Sequence, residues 1–312
     1  FNESNGIEHP YIYNIEQNSE GFLCFTTSEG AYLFDGINFK RLDYKKDIKA
    51  PFFKSILLTS KNTVYLGSNS GGIYKYVDGE LTLRIKTKEN TSPVISIIEK
   101  NKKVYAFFSN GEIREIQEDK KSVKYNLEEG HLYTCFESYK NDFVVAYESG
   151  FKLVKLIDGK AVVVKDVNVN DDAVESVSVG IGNLFLGTGN SGLYAYNSEK
   201  GLRKIQLGEE IDNGNIKAIC FDKLNSIWIS VYGVGVFEIK RNSQTSAFYR
   251  RSELDVSKGL PSEYISEIFI DRESNMWFGS LGKGLIKLNS NFLVQYNLDK
   301  YGLGSYVYSI AG

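Results

Sequence analysis

Short apolar runs separated by polar turns fill this chain, and the sharpest example lies between Glu263 and Leu288. Ile265 and Ile268 stand in a β-type run that ends at Asp271, and Ser274-Asn275 make a polar turn. Met276 to Ser280 form an apolar strand that closes on small residues, and Gly282 and Gly284 lead into a last strand, Leu285 to Leu288. Short strands with tight turns between them predict a meander. One meander cannot bury its own faces, so the pattern matters only if it recurs.

It recurs six times. The nearest copy runs from Asn215 to Ile239, where Ile216, Ile219, Asp222, Trp228, Ser230 and Gly235 fall in the places of Ile265, Ile268, Asp271, Trp277, Gly279 and Gly284. Further copies begin at Tyr11, Phe52 and Val174, and weaker ones at Val94 and Leu132. The Trp277 position is taken in order by Cys24, Tyr65, Tyr105, Val144, Phe185, Trp228 and Trp277, in steps of 41, 40, 39, 41, 43 and 49 residues. A period of about 40–50 residues is that of a β-propeller blade. The predicted fold is all-β, a seven-bladed β-propeller of four-stranded antiparallel blades over residues 1–300, with helix in under about 5% of residues.

Turn chemistry agrees with this frame. Asp35-Gly36, Asp78-Gly79 and Asp158-Gly159 occupy one place in three repeats, where a hairpin into a fourth strand needs a positive φ. Apolar residues three apart, such as Ile12 and Ile15, suggest first strands buried on both faces. The aromatic of the second strand is expected to fill the wedge between blades. The small residue two places on (Thr26, Gly67, Ala146, Gly187, Ser230, Gly279) then lets a neighbour approach. Phe107 breaks this rule and Val144 is undersized, so the third and fourth blades fit least well.

Composition narrows the function. A continuous repeat through 312 residues argues for one domain, and hydrophobic residues at 42% supply an ample core. A net charge of −2 with interspersed signs gives no electrostatic ground for binding nucleic acid or an anionic membrane surface. No run approaches the roughly eighteen apolar residues of a membrane span. The chain begins at Phe1 without a signal peptide, as a processed secreted domain or a piece of a longer protein would. Cys24, Cys135 and Cys220 have apolar neighbours and no tight spacing, so they read as buried small hydrophobes. His9 and His131 are the only histidines, and without clustered carboxylates they make no metal site. No cofactor is implied.

Ligands usually meet a propeller at a channel mouth, on the loops leading into the inner strands. The residues just before the first apolar position are Tyr11, Phe52, Pro93, His131, Ala173, Asn215 and Tyr264. Of these, Tyr11, His131, Asn215 and Tyr264 could stack on a sugar ring or bond its hydroxyls, or could instead plug the channel. The one long insertion, Lys240 to Ser262, carries Arg250-Arg251 and reads as a loop on one face. Glu16, Glu175, Glu263 and Glu267 are scattered, with no repeat-equivalent pair to serve a lyase or glycosidase. A binding module is therefore expected rather than an enzyme, with a protein-binding scaffold as the alternative. Residues 301–312, from Tyr301 to Gly312, resemble the opening of the first repeat. They predict either a ring-closing strand or an array cut inside a further repeat, the second being preferred.

The pattern V-x-x-I-x-x-D-x-x-G-x-L-W-x-G-T-x-x-G-L-x-x-Y resembles the two-component-regulator propeller repeat. It is carried by Asp271, Met276 to Ser280 and Gly284-Leu285, by Asn183 to Thr188 with Gly192 to Tyr194, and by Gly21 to Leu23 with Asp35 to Phe39. Such repeats form periplasmic sensor regions of Bacteroidetes hybrid two-component systems, where two propellers precede an immunoglobulin-like domain, a membrane helix and a histidine kinase. The resemblance implies a periplasmic, oligosaccharide-sensing ectodomain, often a homodimer, with any kinase activity in domains outside this chain.

Overall fold

The computed structural model describes Ile7 and residues 11–44, 52–77, 79–85, 92–117, 122–128 and 130–288. His9, Asp78 and the stretch 301–312 lie outside the described residues. The chain forms a ring of seven antiparallel sheets, a seven-bladed β-propeller. The inner strands are Ile12–Gln17, Phe53–Leu58, Val94–Lys100, Tyr133–Tyr139, Val174–Gly180, Ile216–Phe221 and Ile265–Ile270. Successive strands of each blade step outward in chain order. In blade 2 the short strand Asp43–Tyr44 adds parallel to the outermost strand, Glu80–Ile85. Blade 7 shows three strands among the described residues. The one α-helix among them is a single turn, Glu209–Asp212.

Each inner strand packs on the next, and the last packs on the first. Closure joins blades 7 and 1 through side chains. Ser266 Oγ donates to the Ile12 carbonyl. Arg272 N donates to Gln17 Oε1 at 2.8 Å, and Gln17 Nε2 donates to Glu273 Oε2 at 2.9 Å. Ile7, fully buried, joins Ile12, Phe25, Trp277 and Leu285 in the core between these two blades.

Every inner strand shifts register after its first residue. This bulge corrects the reading of apolar residues three apart. Ile12 pairs with Thr27 and Ile15 with Phe25, two residues apart on the partner strand, so both isoleucines point to the same face. The extra residue between them turns a period of two into a spacing of three. The spacing therefore marks a bulge, not burial on both faces.

The wedge expectation holds. Trp277 packs into the blade 1 core, edge-on to Phe34 at 5.9 Å between centroids. The small residue is needed for contact with the next inner strand. A Cβ on Gly67 would lie 2.5 Å from Val94 Cγ1, on Gly187 2.6 Å from Ile216 Cγ2, and on Gly279 2.8 Å from Ile12 Cγ2. Phe107 occupies the same place in blade 3 and is fully buried, stacked on Phe136 at 4.9 Å.

The turns after the inner strands fall into two kinds. Blades 1, 2, 6 and 7 use five residues, and blades 3, 4 and 5 use two. In blade 7 Asp271 Oδ1 accepts from Asn275 N at 2.7 Å and Oδ2 accepts from Trp277 Nε1 at 2.8 Å. Asp222 does the same in blade 6, taking Ser226 N at 2.8 Å and Trp228 Nε1 at 3.2 Å. One carboxylate thus closes the turn and satisfies a buried indole, which explains why Asp and Trp recur six residues apart.

Candidate functional site

Antiparallel pairing places the start of each inner strand beside the turn between the second and third strands. Backbone bonds repeat this join: Asn69 N to Phe52 O at 2.8 Å, Ser109 N to Pro93 O at 2.9 Å, Gly189 N to Ala173 O at 2.9 Å, Tyr232 N to Asn215 O at 2.8 Å, and Leu281 N to Tyr264 O at 2.9 Å. The residues preceding the inner strands therefore stand in one ring around the mouth.

Blade 4 departs from the expected ring. Tyr133, not Leu132, is its first inner-strand residue and pairs with Tyr147. The mouth position is thus Leu132, which is largely exposed. His131 lies one residue further back. Its Nδ1 is 2.8 Å from Glu148 Oε1, and its ring packs on Tyr147 at 4.9 Å and Tyr133 at 5.8 Å. The other Glu148 oxygen accepts from Leu132 N at 2.8 Å. These bonds hold the Glu148 carboxyl below its ordinary value even though burial pushes it up. His131 is a clamp on this loop rather than a free mouth group.

The junction of blades 6, 7 and 1 is open and aromatic. Tyr264 and Tyr11 are each 46% exposed and Tyr232 is 40% exposed, so none is a channel plug. Tyr232 and Tyr264 meet edge to face at 5.0 Å, an arrangement that ring quadrupoles favour. Tyr11 bridges to Leu281, and Gly233 N donates to Glu263 O at 3.1 Å, which ties the three blades together at the mouth. Asn215 Oδ1 is buried without a protein donor. Sequence reasoning missed Tyr232 because it lies in a turn between second and third strands, outside the ring of preceding residues.

Arg250 and Arg251 do not form a loop. They belong to Phe248–Leu254, the fourth strand of blade 6, which pairs with Gly235–Arg241. Arg250 pairs with Glu210 at 2.8 Å and with Glu253, and it lies over the Phe237 ring at 4.6 Å. Arg251 is 3.3 Å from Glu238. The insertion is used up by an ordinary outer strand and a 3-10 turn, Val256–Lys258, so these arginines brace the rim and stand apart from the mouth.

The ring also gathers carboxylates that look scattered in the sequence. Glu16, Glu137 and Glu267 sit on inner strands of blades 1, 4 and 7. Burial pushes Glu267 up to about 8, with the charge of Glu16 adding to the effect. Burial likewise pushes Glu16 up to about 7, with a contribution from Glu137. Blades 1 and 4 are three places apart, so Glu16 and Glu137 can repel one another only across the ring axis. Glu16 and Glu137 are repeat-equivalent, because they pair with Cys24 and Val144. Glu175 is instead neutralised by Lys217 at 2.9 Å. Burial pushes the thiols of Cys24, Cys135 and Cys220 up to about 12, which leaves them unreactive. Among the described residues no group of three or more His, Cys, Asp or Glu is arranged to hold a metal ion. No helix among them is long and apolar enough to cross a membrane.

No family model matches the chain, and no curated protein sequence matches it. Solved structures do. The chain is similar to the extracellular domain of BT4673 from B. thetaiotaomicron, described as a hybrid two component system. That likeness has 17% identity and a TM-score of 0.72, over 91% of this chain and 39% of that one. The extracellular domain of BT3049 from the same organism, described in the same way, matches at 18% identity and a TM-score of 0.70, over 91% and 40%. A streptogramin B lyase matches at 16% identity and a TM-score of 0.74, over 91% and 95%. At these identities the likeness is one of fold. The chain spans about two fifths of the length of the two extracellular domains.

Proposed function

We propose that this propeller is an extracytoplasmic, ligand-sensing part of a two-component regulatory system, and that it recognises an oligosaccharide at its mouth without chemistry. The observation that carries this reading is the open cluster of Tyr11, Tyr232 and Tyr264 at the junction of blades 6, 7 and 1. Aromatic faces suit the C–H face of a sugar, and phenols suit its hydroxyls. The repeat pattern and the shared fold with two extracellular domains of hybrid two component systems support the setting, a periplasmic ectodomain. In that setting a second propeller and a kinase belong to the longer protein, and the signal passes to them.

A propeller lyase or glycosidase is the second reading. It is favoured by the raised carboxyls of Glu16 and Glu267, since a carboxylic acid neutral near pH 7 can act as a general acid. Titration calorimetry and product analysis against an oligosaccharide panel separate the two. Saturable binding without turnover, weakened by Tyr264→Ala, supports sensing. Turnover abolished by Glu267→Gln supports the lyase. A panel with neither binding nor turnover would count against both.

A further inference from the structure

The bulge in each inner strand leaves one residue without a cross-strand partner, and that residue stands just inside the mouth. It falls between Ile12 and Asn14 in blade 1, Phe53 and Ser55 in blade 2, Tyr133 and Cys135 in blade 4, Val174 and Ser176 in blade 5, and Ile216 and Ala218 in blade 6. The extra residues are Tyr13, Lys54, Thr134, Glu175 and Lys217. Three of them reach the inner-strand entry of the following blade. Tyr13 meets the Phe52 ring at 4.7 Å, Thr134 Oγ1 donates to the Val174 carbonyl, and Glu175 pairs with Lys217 at 2.9 Å. The bulges thus re-aim one side chain per blade into a second ring, each member leaning on the next.

Two lysines hold equivalent places in this ring and have different neighbours. Lys217 of blade 6 is neutralised by Glu175 of the blade before it. Before Lys54 the place of Glu175 is taken by Tyr13 of blade 1, and after it comes Ile95 of blade 3. Lys54 is half-buried and makes no ion pair or hydrogen bond among the described residues. Drawing an ammonium partly out of water without an acid costs free energy, which a bound anion offsets.

An aromatic platform adjoins this cation. Tyr13 and Phe52 are both half-buried, and burial, then the neighbouring Tyr11, raises the Tyr13 phenol above its ordinary value. The two rings extend the tyrosines of blades 6, 7 and 1 into blade 2. Glu16, Glu137 and Glu267 stand deeper along their strands, and burial raises all three carboxyls, which lessens their repulsion of an anion at the mouth.

We propose that the blade 1–2 side of the mouth binds the acidic group of an anionic oligosaccharide, a carboxylate or sulfate pairing with Lys54 Nζ while a sugar ring lies on Tyr13 and Phe52. This rests on the reading of the mouth as a sugar-binding surface and adds that the sugar is charged. An ammonium is a point charge with rotatable donors, so it accepts either group.

Titration calorimetry on matched pairs tests this, with oligouronates beside their methyl esters and sulfated oligosaccharides beside their desulfated forms. In the pair that binds, the acidic member should bind at least about tenfold more tightly, equivalent to about 1.4 kcal/mol. The preference should shrink as salt rises. Lys54→Met should abolish the preference while the neutral member still binds. Tyr13→Glu, which sets an acid before Lys54 as Glu175 stands before Lys217, should abolish it too and serves if Lys54→Met unfolds. The double variant Glu175→Gln/Lys217→Met, which removes a neutral pair, should keep it. A neutral member that binds as tightly as its acidic partner overturns the proposal and leaves the sugar reading standing. So does a preference that survives both Lys54→Met and Tyr13→Glu, or one lost in the double variant. Absence of binding across every pair overturns both readings together.

Discussion

In blade 7 the carboxylate of Asp271 closes a five-residue turn and takes the indole N–H of Trp277, while in blade 4 the same places hold the two-residue hairpin Lys140-Asn141 and Val144. Blade 6 follows blade 7, through Asp222 and Trp228. Blade 3 follows blade 4 in its hairpin and, with it, fills the core between them by aromatic stacking. Phe107 stacks on Phe136, Phe136 on Phe143 at 5.1 Å, and Tyr105 meets Phe143 edge-on at 4.9 Å. The backbone frame and the inner-strand bulge are the same in both halves. A hydrogen bond between named side chains constrains residue identity, whereas filling a volume constrains only size. The repeat is therefore plain in blades 6 and 7 and faint in blades 3 and 4.

The largest effect should come from breaking the stacked core. Phe107→Ala removes a fully buried ring that touches Phe136 and Tyr133. A loss of about 3–5 kcal/mol is expected in a urea titration, as for other aromatic truncations in cores. Phe107→Gly, which restores the small residue of other blades, should not recover it, because this neighbourhood is built around the ring. Asp271→Ala tests the other half. It orphans the buried Trp277 N–H and uncaps the turn at Asn275 N, for an expected loss of about 2–3 kcal/mol. Replacing Trp277 by Phe in the same chain should recover part of that loss, since no indole then lacks a partner.

The same division decides what the sequence could disclose. The Asp–Trp spacing and the small residue before each neighbouring inner strand are local and chemically specific, so five blades can be read directly. In blade 4 the ring position slips by one residue, from Leu132 to His131, because Leu132 is itself apolar and reads as the first strand residue, whereas Tyr133 and Phe136 are the pair that brackets the bulge. Arg250 and Arg251 look like an insertion because long third and fourth strands displace the next repeat. The meeting of Glu16 with Glu267 is invisible in sequence, since ring closure joins residues from the two ends of the repeat array. The equivalence of Glu16 and Glu137 was available, since each follows the second of two apolar residues three apart, Ile12 and Ile15 in blade 1 and Tyr133 and Phe136 in blade 4.

A smaller effect sharpens the contrast through pH. Burial, then the Glu16 charge, raises the Glu267 carboxyl from 4.5 to about 8 in the folded chain. A carboxyl raised by folding contributes stability that is complete below its unfolded value and lost as pH rises through its folded one. Stability should therefore fall between pH 4.5 and about 8 and level off above that window. Glu137 is also raised by burial, but the Ser138 N–H and the charge of Lys100 oppose the rise. Melting curves across this range should be flattened more by Glu267→Gln than by Glu137→Gln. Equal flattening would mean that the blade 4 carboxyl is as poorly compensated as that of blade 7.

The smallest change in stability, and the one most informative about function, separates the two sides of the mouth. Tyr264 is half exposed and, among the described residues, meets only Tyr232 among aromatic rings. Tyr264→Ala should cost under about 1 kcal/mol of stability, because half the ring is already in water. If the mouth binds a sugar, the lost stacking surface is worth about 0.5–1.5 kcal/mol, a three- to tenfold weakening at about 1.4 kcal/mol per decade. His131→Ala should behave in the opposite way. It removes the partner of Glu148 and a ring against Tyr147, and so should lower stability by about 1 kcal/mol. Sugar affinity should stay unchanged, because the imidazole is committed to its own loop. Calorimetry and melting curves on the two variants give four values that must divide in this crossed manner. If His131→Ala weakens sugar binding while Tyr264→Ala does not, the binding surface lies over blade 4, and Leu132 at the true mouth position becomes the residue to change next.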